Sequence, residues 1–365
     1  MTNNDIEKSF DEYKARKKNV VDNNLPIKKK EIRKIIRPIM RLALLGQRKL
    51  KQQKVKVIGN KDYKLPKNRP TIFAVSHIGK YDFEIVNEKI KEQFYTLASD
   101  FRNMYGNFNG FMMDCFGVIF VDENSKEDKN YTSKMMKKIL NDNSLGKPLN
   151  IMIFSEGTWN ITENELIMDT HLGAVDAAME TNAVILPISV EQYDKEFIIN
   201  FGEIYDPNEI TKKDGIDYKK LNDKKEKDKL IKLRTKIKAN TIMRDILATL
   251  KYEIWETKGI EKRKDIPEDY WDNFISDRLK EWPGYSMQEQ IDSVYHPKGK
   301  LEQEQVKNDL KAIKINDNNN FLIASKERYI NYLNVNKNID KIIEKLQQYT
   351  QKEKEPCKIK TRKNN

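Results

Sequence analysis

An α/β layer fold is predicted by three features of the stretch from about Val55 to Gly202. Short apolar runs recur at Thr71–Val75, Val118–Val121, Asn150–Phe154, Val184–Val190 and Phe197–Asn200. Segments with helical periodicity lie between them: Phe83–Lys91, Tyr131–Leu140 and Leu172–Glu180. The runs are continuous rather than alternating, as expected of strands buried on both faces. Strands that alternate with helices in this way build a sheet covered by helical layers.

The chain has 365 residues, enough for one large domain with an appendage. Residues 1–27 are polar and read as flexible or loosely helical. From Lys28 to Lys56 there are twelve Lys and Arg and one acid, Glu31, so this segment carries almost all of the net charge of +12. Ile32, Ile35, Ile36, Ile39, Met40, Ala43 and Leu44 recur there at three- and four-residue spacing, with Arg33, Lys34, Arg37 and Arg41 between them. This predicts a basic amphipathic helix over Glu31–Lys51, about 30 Å long, split or kinked at Pro38. Two readings stand side by side. The helix lies on an anionic membrane surface through residues 28–51, or it packs on the α/β domain with its charges in water. A nucleic-acid partner is disfavoured, because no nucleic-acid module signature accompanies the charge.

Beyond Asp206 the chain becomes strongly charged. Lys219–Lys238 is a mixed-charge helical stretch, and Ile242, Ile246, Leu247, Leu250 and Ile254 repeat helically within Asn240–Thr257. Trp255, Trp271 and Trp282, with Tyr270 and Tyr285, suggest a packed helical subdomain. Asn334–Gln348 reads as one more helix, and the basic C-terminal tail reads as frayed. The expected organisation is therefore a polar N-terminus with a basic amphipathic helix (1–54), an α/β domain (55–210) and a mainly helical C-terminal extension (211–365).

Several classes are excluded by composition. No apolar run approaches the eighteen residues or so that a spanning helix needs. The two cysteines, Cys115 and Cys357, are far apart, so neither a disulfide framework nor a Cys-rich metal site is expected. The first thirty residues lack an apolar core, which argues against a secretory signal and for a cytoplasmic setting.

Four segments at strand ends can carry chemistry. His77 and Asp82 follow the run Thr71–Val75, in His77-Ile78-Gly79-Lys80-Tyr81-Asp82. A carboxylate so placed can fix the imidazole tautomer and stabilise its charged form while the ring takes a proton. Alone, the spacing also suits a structural histidine. Phe154-Ser155-Glu156-Gly157-Thr158 follows Asn150–Ile153; Gly157 permits a sharp turn, and Glu156 sets a carboxylate there. Phe116–Asp122 and Val184–Ile188 read as buried strands, and Pro187 marks an edge, a bulge or a close approach.

Taken in order, the blocks HxxxxD, GxIFVD, FxEGT and xILPI resemble those of the glycerolipid acyltransferase family, whose members include the 1-acylglycerol-3-phosphate acyltransferases. The resemblance spans about residues 55–205. It implies an α/β core with a mixed sheet flanked by helices, His77 as general base and Asp82 as its partner. It also implies that Glu156, Gly157 and Thr158 line the acceptor. The acyl donor would be a thioester of coenzyme A or of acyl carrier protein, with no bound cofactor, no metal and no acyl-enzyme. The protein would act peripherally at the inner face of the membrane. The family's arginines after its second and third blocks, which hold the acceptor's phosphate, are replaced by Glu123 and Trp159. Lys80 and Lys126 remain as nearby point charges, and Trp159 offers apolar area for an acyl chain, a sugar ring or the core. Ser76 and Ser155 are milder departures. The acceptor implied is a lysophospholipid or related hydroxyl compound, not necessarily lysophosphatidate. A scaffold on the same fold that binds lipid without catalysis is the alternative.

Overall fold

A computed structural model describes residues 3–258, apart from positions 80, 100, 105, 107, 158, 161–166, 169, 214 and 223. The elements are α1 (Asn3–Asp22), α2 (Lys30–Leu50), β1 (Lys54–Gly59), β2 (Thr71–Val75), α3 (Asp82–Lys89), β3 (Phe94–Ala98), α4 (Phe101–Met104) and α5 (Phe108–Phe116). They continue with β4 (Val118–Phe120), α6 (Lys126–Leu140), β5 (Asn150–Phe154), α7 (Gly173–Thr181), β6 (Val184–Tyr193), β7 (Glu196–Phe201), α8 (Asn208–Lys213) and α9 (Glu226–Lys258). The predicted helix at 334–348, Trp271, Trp282, Tyr270, Tyr285 and Cys357 lie outside the described residues.

The seven strands form one sheet in the order β1-β7-β6-β2-β5-β3-β4. All neighbours are parallel except β6 and β7, which make an antiparallel hairpin, so the sheet is mixed as expected. Strand β2 is central, and its side chains divide between two cores. Ile72 and Ala74 face α6, α7 and α9, whereas Phe73 and Val75 face α3 together with Phe94, Leu186 and Phe197. That division is the two-residue period of a strand acting on an all-apolar run. Pro187 is tolerated in an interior strand because Gly202 closes on it; the Gly202 N–H reaches the Pro187 carbonyl at 2.9 Å.

Three expectations for the flanks need correction. Of the two readings of the N-terminal stretch the helical one holds, but the twenty-residue helix is docked on the domain rather than loose. Phe10 stacks on Phe101 with centroids 4.6 Å apart. Buried Lys17 donates to the Phe120 carbonyl at 2.8 Å, the Asp128 carboxylate at 2.7 Å and the Thr132 hydroxyl at 2.7 Å. Three partners at these distances satisfy an ammonium completely. Removing it strands Asp128 in the interior, so Lys17→Met is expected to lower unfolding free energy by about 3 kcal/mol in urea titration. A loss below about 1 kcal/mol would mean that the ammonium only offsets its own desolvation.

Helix α2, secondly, runs unbroken through Pro38, and its arginines turn toward the body while Lys34 and Lys49 stay exposed. Arg33 bonds Asp114 at 3.0 Å, Lys30 bonds Asp142 at 3.0 Å, and Arg48 bonds Glu88 at 2.5 Å. Arg37 is 3% exposed. Its guanidinium carbon lies 3.7 Å from the Phe94 ring centroid, and it donates to Asn87 at 2.6 Å. Burial above all, and then the charge of Arg41, push Arg37 down to about 9, where it is still a cation at neutral pH. What faces outward is apolar: Ile32, Ile35, Ile39 and Leu42 are 54–70% exposed, with Phe111 of the adjoining α5 at 61%. Guanidinium stems cover aromatic rings well and their heads find carboxylates, so the basic face is the inner one.

Thirdly, the two predicted helical stretches after residue 219 merge into the single helix α9 of 33 residues, preceded by a 3₁₀ turn at Tyr218–Lys220. Trp255 packs against the sheet, and its indole N–H donates to buried Glu191 at 2.9 Å. Among the described residues no helix is long and apolar enough to cross a membrane.

Candidate active site

The register of β2 and β5 brings two of the sequence blocks together. Val75 pairs with Phe154 in parallel, so two residues further along each chain His77 stands beside Glu156. Both lie just past the C-terminal ends of central strands, the side on which open α/β sheets bind ligands.

The His77 Nδ1 is 2.9 Å from the Asp82 Oδ2. The same oxygen accepts the backbone N–H groups of Ile78 at 2.6 Å and Gly79 at 3.0 Å. Asp82 is the first residue of α3, and its side chain is fully buried, whereas that of His77 is 17% exposed. The turn from residue 77 to 82 thus curls around its own carboxylate. With Nδ1–H donating to that carboxylate, Nε2 is the basic nitrogen.

The rest of the site holds this ring still. Phe154 stacks on the imidazole with centroids 4.0 Å apart and an interplanar angle of 17°. Trp159 meets it edge-on at 5.9 Å and 86°. The main chain of His77 is held from both ends: its N–H donates to the Glu156 Oε1 at 2.8 Å, and its carbonyl accepts the Asn160 N–H at 2.6 Å. The Glu156 Oε2 in turn accepts the Met168 N–H at 2.9 Å. Glu156 is buried, so its carboxylate braces the backbone behind the histidine. Gly157 has φ of +73°, and a Cβ there would lie 2.5 Å from the His171 Nε2. Glycine is thus required both by the left-handed turn and by the ring packed on it.

Of the residues singled out from sequence, His77, Asp82, Glu156, Gly157 and Trp159 converge on one place. Lys80 and Thr158 lie outside the described residues. Trp159 is half-buried on the rim of the imidazole, not in the core. Glu123 follows β4, three places along the sheet from β2, and Lys126 is exposed at the start of α6. Ser76 is absorbed by the fold, its hydroxyl accepting the Val190 N–H at 2.9 Å. Sequence reasoning missed Phe154 as a ring partner, and also Asn160, His171 and Met168. Phe154 and Asn160 flank the Glu156 block and were within reach of local reasoning. His171 and Met168 come back from a loop with no signature of their own.

An imidazole held by a carboxylate at the C-terminal edge of a mixed α/β sheet has the arrangement that a general base would use. Residues 54–191 match the family model described as Acyltransferase. That agrees with the resemblance of the four blocks to the glycerolipid acyltransferases. Among solved structures the chain is similar to the 1-acyl-sn-glycerophosphate (LPA) acyltransferase PlsC from Thermotoga maritima. The two share 14% identity at a TM-score of 0.37, over 57% of this chain and 95% of that one. None of the curated proteins matches the sequence.

Proposed function

We propose that the protein moves a fatty acyl group from a thioester of coenzyme A or acyl carrier protein to a hydroxyl of a lysophospholipid. The observation that carries this reading is the His77 Nδ1–Asp82 Oδ2 bond of 2.9 Å, on a residue whose backbone N–H is held by Glu156 at 2.8 Å. The acceptor hydroxyl gives its proton to the His77 Nε2 as its oxygen attacks the thioester carbonyl. The C–S bond then breaks, and the thiolate takes the proton back from the imidazolium. Asp82 stabilises that cation, and Glu156 with Gly157 sets the position of the ring. The chemistry requires no cofactor beyond the acyl donor.

In this reading the acceptor need not carry a terminal phosphate. Trp159, standing where a guanidinium would bind one, offers the His77 rim an indole edge instead, and at the other such place in the sequence Glu123 carries a negative charge. Lysophospholipids with zwitterionic or neutral headgroups suit that rim better than lysophosphatidate. The outward apolar ridge of α2, with Phe111, is assigned to the lipid surface from which such acceptors come. The apolar face, rather than the basic one, then meets the membrane at the inner leaflet.

Purified protein tested with acyl-coenzyme A and acyl carrier protein donors against a lysophospholipid panel is expected to release free thiol only when acceptor is present. Zwitterionic acceptors are expected to outrun lysophosphatidate. Absence of thiol release with every pairing would overturn the catalytic reading and leave the lipid-binding scaffold.

A further inference from the structure

Helix α9 lies beyond the segment that matches the acyltransferase family, yet one of its side chains reaches the back of the candidate site. Arg244 is buried, and its guanidinium donates to two successive carbonyls, those of Ile167 and Met168, the latter at 2.9 Å from Nε. The Ile167 carbonyl and the Met168 N–H belong to one peptide unit. The same unit therefore accepts from Arg244 at its oxygen and donates to Glu156 at its nitrogen, at 2.9 Å. A cation on the oxygen polarises the peptide and strengthens the bond its N–H makes to a carboxylate. Glu156 passes the constraint to the backbone N–H of His77 at 2.8 Å.

The register of α9 on the sheet is fixed independently of this contact. Ser189 donates to the Leu247 carbonyl at 2.7 Å, Asn200 to the Leu250 carbonyl at 2.9 Å, and Trp255 to Glu191 at 2.9 Å. Asn240, one turn before Arg244, donates to the Thr170 carbonyl at 2.9 Å, so the loop at 167–170 is gripped at two points. Arg244 is thus delivered by an element that is already anchored, and stability does not demand two bonds from it to a loop.

We propose that Arg244 is a positioning residue of the acyl-transfer site, clamping the Ile167–Met168 peptide that holds Glu156 and, through it, His77. The inference rests on the function proposed above for His77. It gives the start of the C-terminal extension a part in the site.

The test compares Arg244→Met, Glu156→Gln and the double variant. Arg244→Met is expected to lower kcat about 10- to 100-fold, the scale of a small displacement of a reacting group. Its KM for the acyl donor is expected to stay within about two-fold, because the lost contact does not touch the donor. In the Glu156→Gln background the same change should add little, since one chain of contacts is cut twice. Hydrogen exchange at the Met168 and His77 amides should quicken in Arg244→Met. Arg244→Lys keeps the charge and one carbonyl bond and should recover part of kcat; if the methionine variant does not fold, the lysine variant is judged by the same criteria. Wild-type kcat in a folded variant, or losses that multiply in the double variant, would overturn the proposal. If the wild type transfers no acyl group, the proposed function fails, and the exchange rates alone then decide the clamp: unchanged protection at Met168 and His77 overturns it.

Discussion

His77→Ala is expected to lower kcat for acyl transfer by about 10²- to 10⁴-fold, the usual contribution of a positioned general base. The donor KM should change little, because the imidazole acts on the acceptor's proton as the bond to carbon forms rather than on the bound thioester. The hydroxyl of an alcohol is a poor nucleophile at neutral pH, and the two carboxylates nearest the imidazole are already engaged. Asp82 faces inward and is committed to three N–H donors, and Glu156 is committed to two backbone amides. Asp82→Asn should also lower kcat, by a smaller factor. An amide oxygen can still accept from the Ile78 and Gly79 N–H groups and keep the turn, but it supplies no charge for the imidazolium. Steady-state rates of thiol release from acyl-coenzyme A, with the acceptor saturating, measure both. A His77→Ala protein that transfers acyl groups as fast as wild type would remove the histidine from the mechanism and the proposed function with it.

The pair is conspicuous in the sequence for a partly local reason. The contact spans only six residues, so the spacing permits it, but the spacing alone suited a structural histidine equally, and the order of the four blocks singled the pair out. The Glu156 block was legible for a different reason: a glycine after an apolar run marks a turn at a strand end. That these two turns touch follows only from the pairing of Val75 with Phe154, which the sequence hints at through two similar apolar runs and does not state. Met168, His171 and Arg244 reach the site through tertiary packing across 12 to 77 residues of chain, beyond the reach of any periodicity.

The fold itself was legible where burial is uniform and hidden where it is not. Thr71–Val75 and Asn150–Phe154 read as strands because every residue is apolar or nearly so. Strand β1, Lys-Val-Lys-Val-Ile-Gly, is an edge strand that shows its lysines to solvent, a common protection against edge pairing, and it passed as part of the basic segment. Strand β3, Phe94–Ala98, lacks flanking glycine or proline to set it apart. The largest difference concerns α2. Its periodicity reveals two stripes correctly, but an amphipathic pattern does not say which stripe faces the protein. That choice depends on what the body offers. Here it offers Asp114, Asp142 and Glu88 to the cations, and the rings of Tyr95, Phe94 and Phe116 to the guanidinium stems.

The outward ridge leads to the second large effect: the double substitution Ile35→Asp and Ile39→Asp is expected to abolish binding to phospholipid vesicles. Both side chains are at least 60% exposed, so neither contributes to the core, and the thermal midpoint should move little. Burying an isoleucine side chain in an apolar medium is worth about 1.5–3 kcal/mol. Removing two from the lipid should therefore weaken partitioning by about 100-fold or more, and the added carboxylates oppose reinsertion near anionic lipid. Salt should matter much less. Arg33, Arg37, Arg48 and Lys30 are occupied on the protein side, which leaves chiefly Lys28, Lys34 and Lys49 near the ridge to sense a charged surface. Raising ionic strength from about 0.1 to 1 M shortens the Debye length from roughly 10 to 3 Å, and binding should fall only a few-fold. Co-sedimentation with vesicles of zwitterionic lipid, with and without an anionic component, separates the two sources of affinity. Loss of binding in high salt with the double aspartate variant still bound would mean that the remaining surface lysines hold the membrane. Binding that survives salt but not the two aspartates would mean that α2 docks by its isoleucines, its arginines having been used to fasten it to the enzyme.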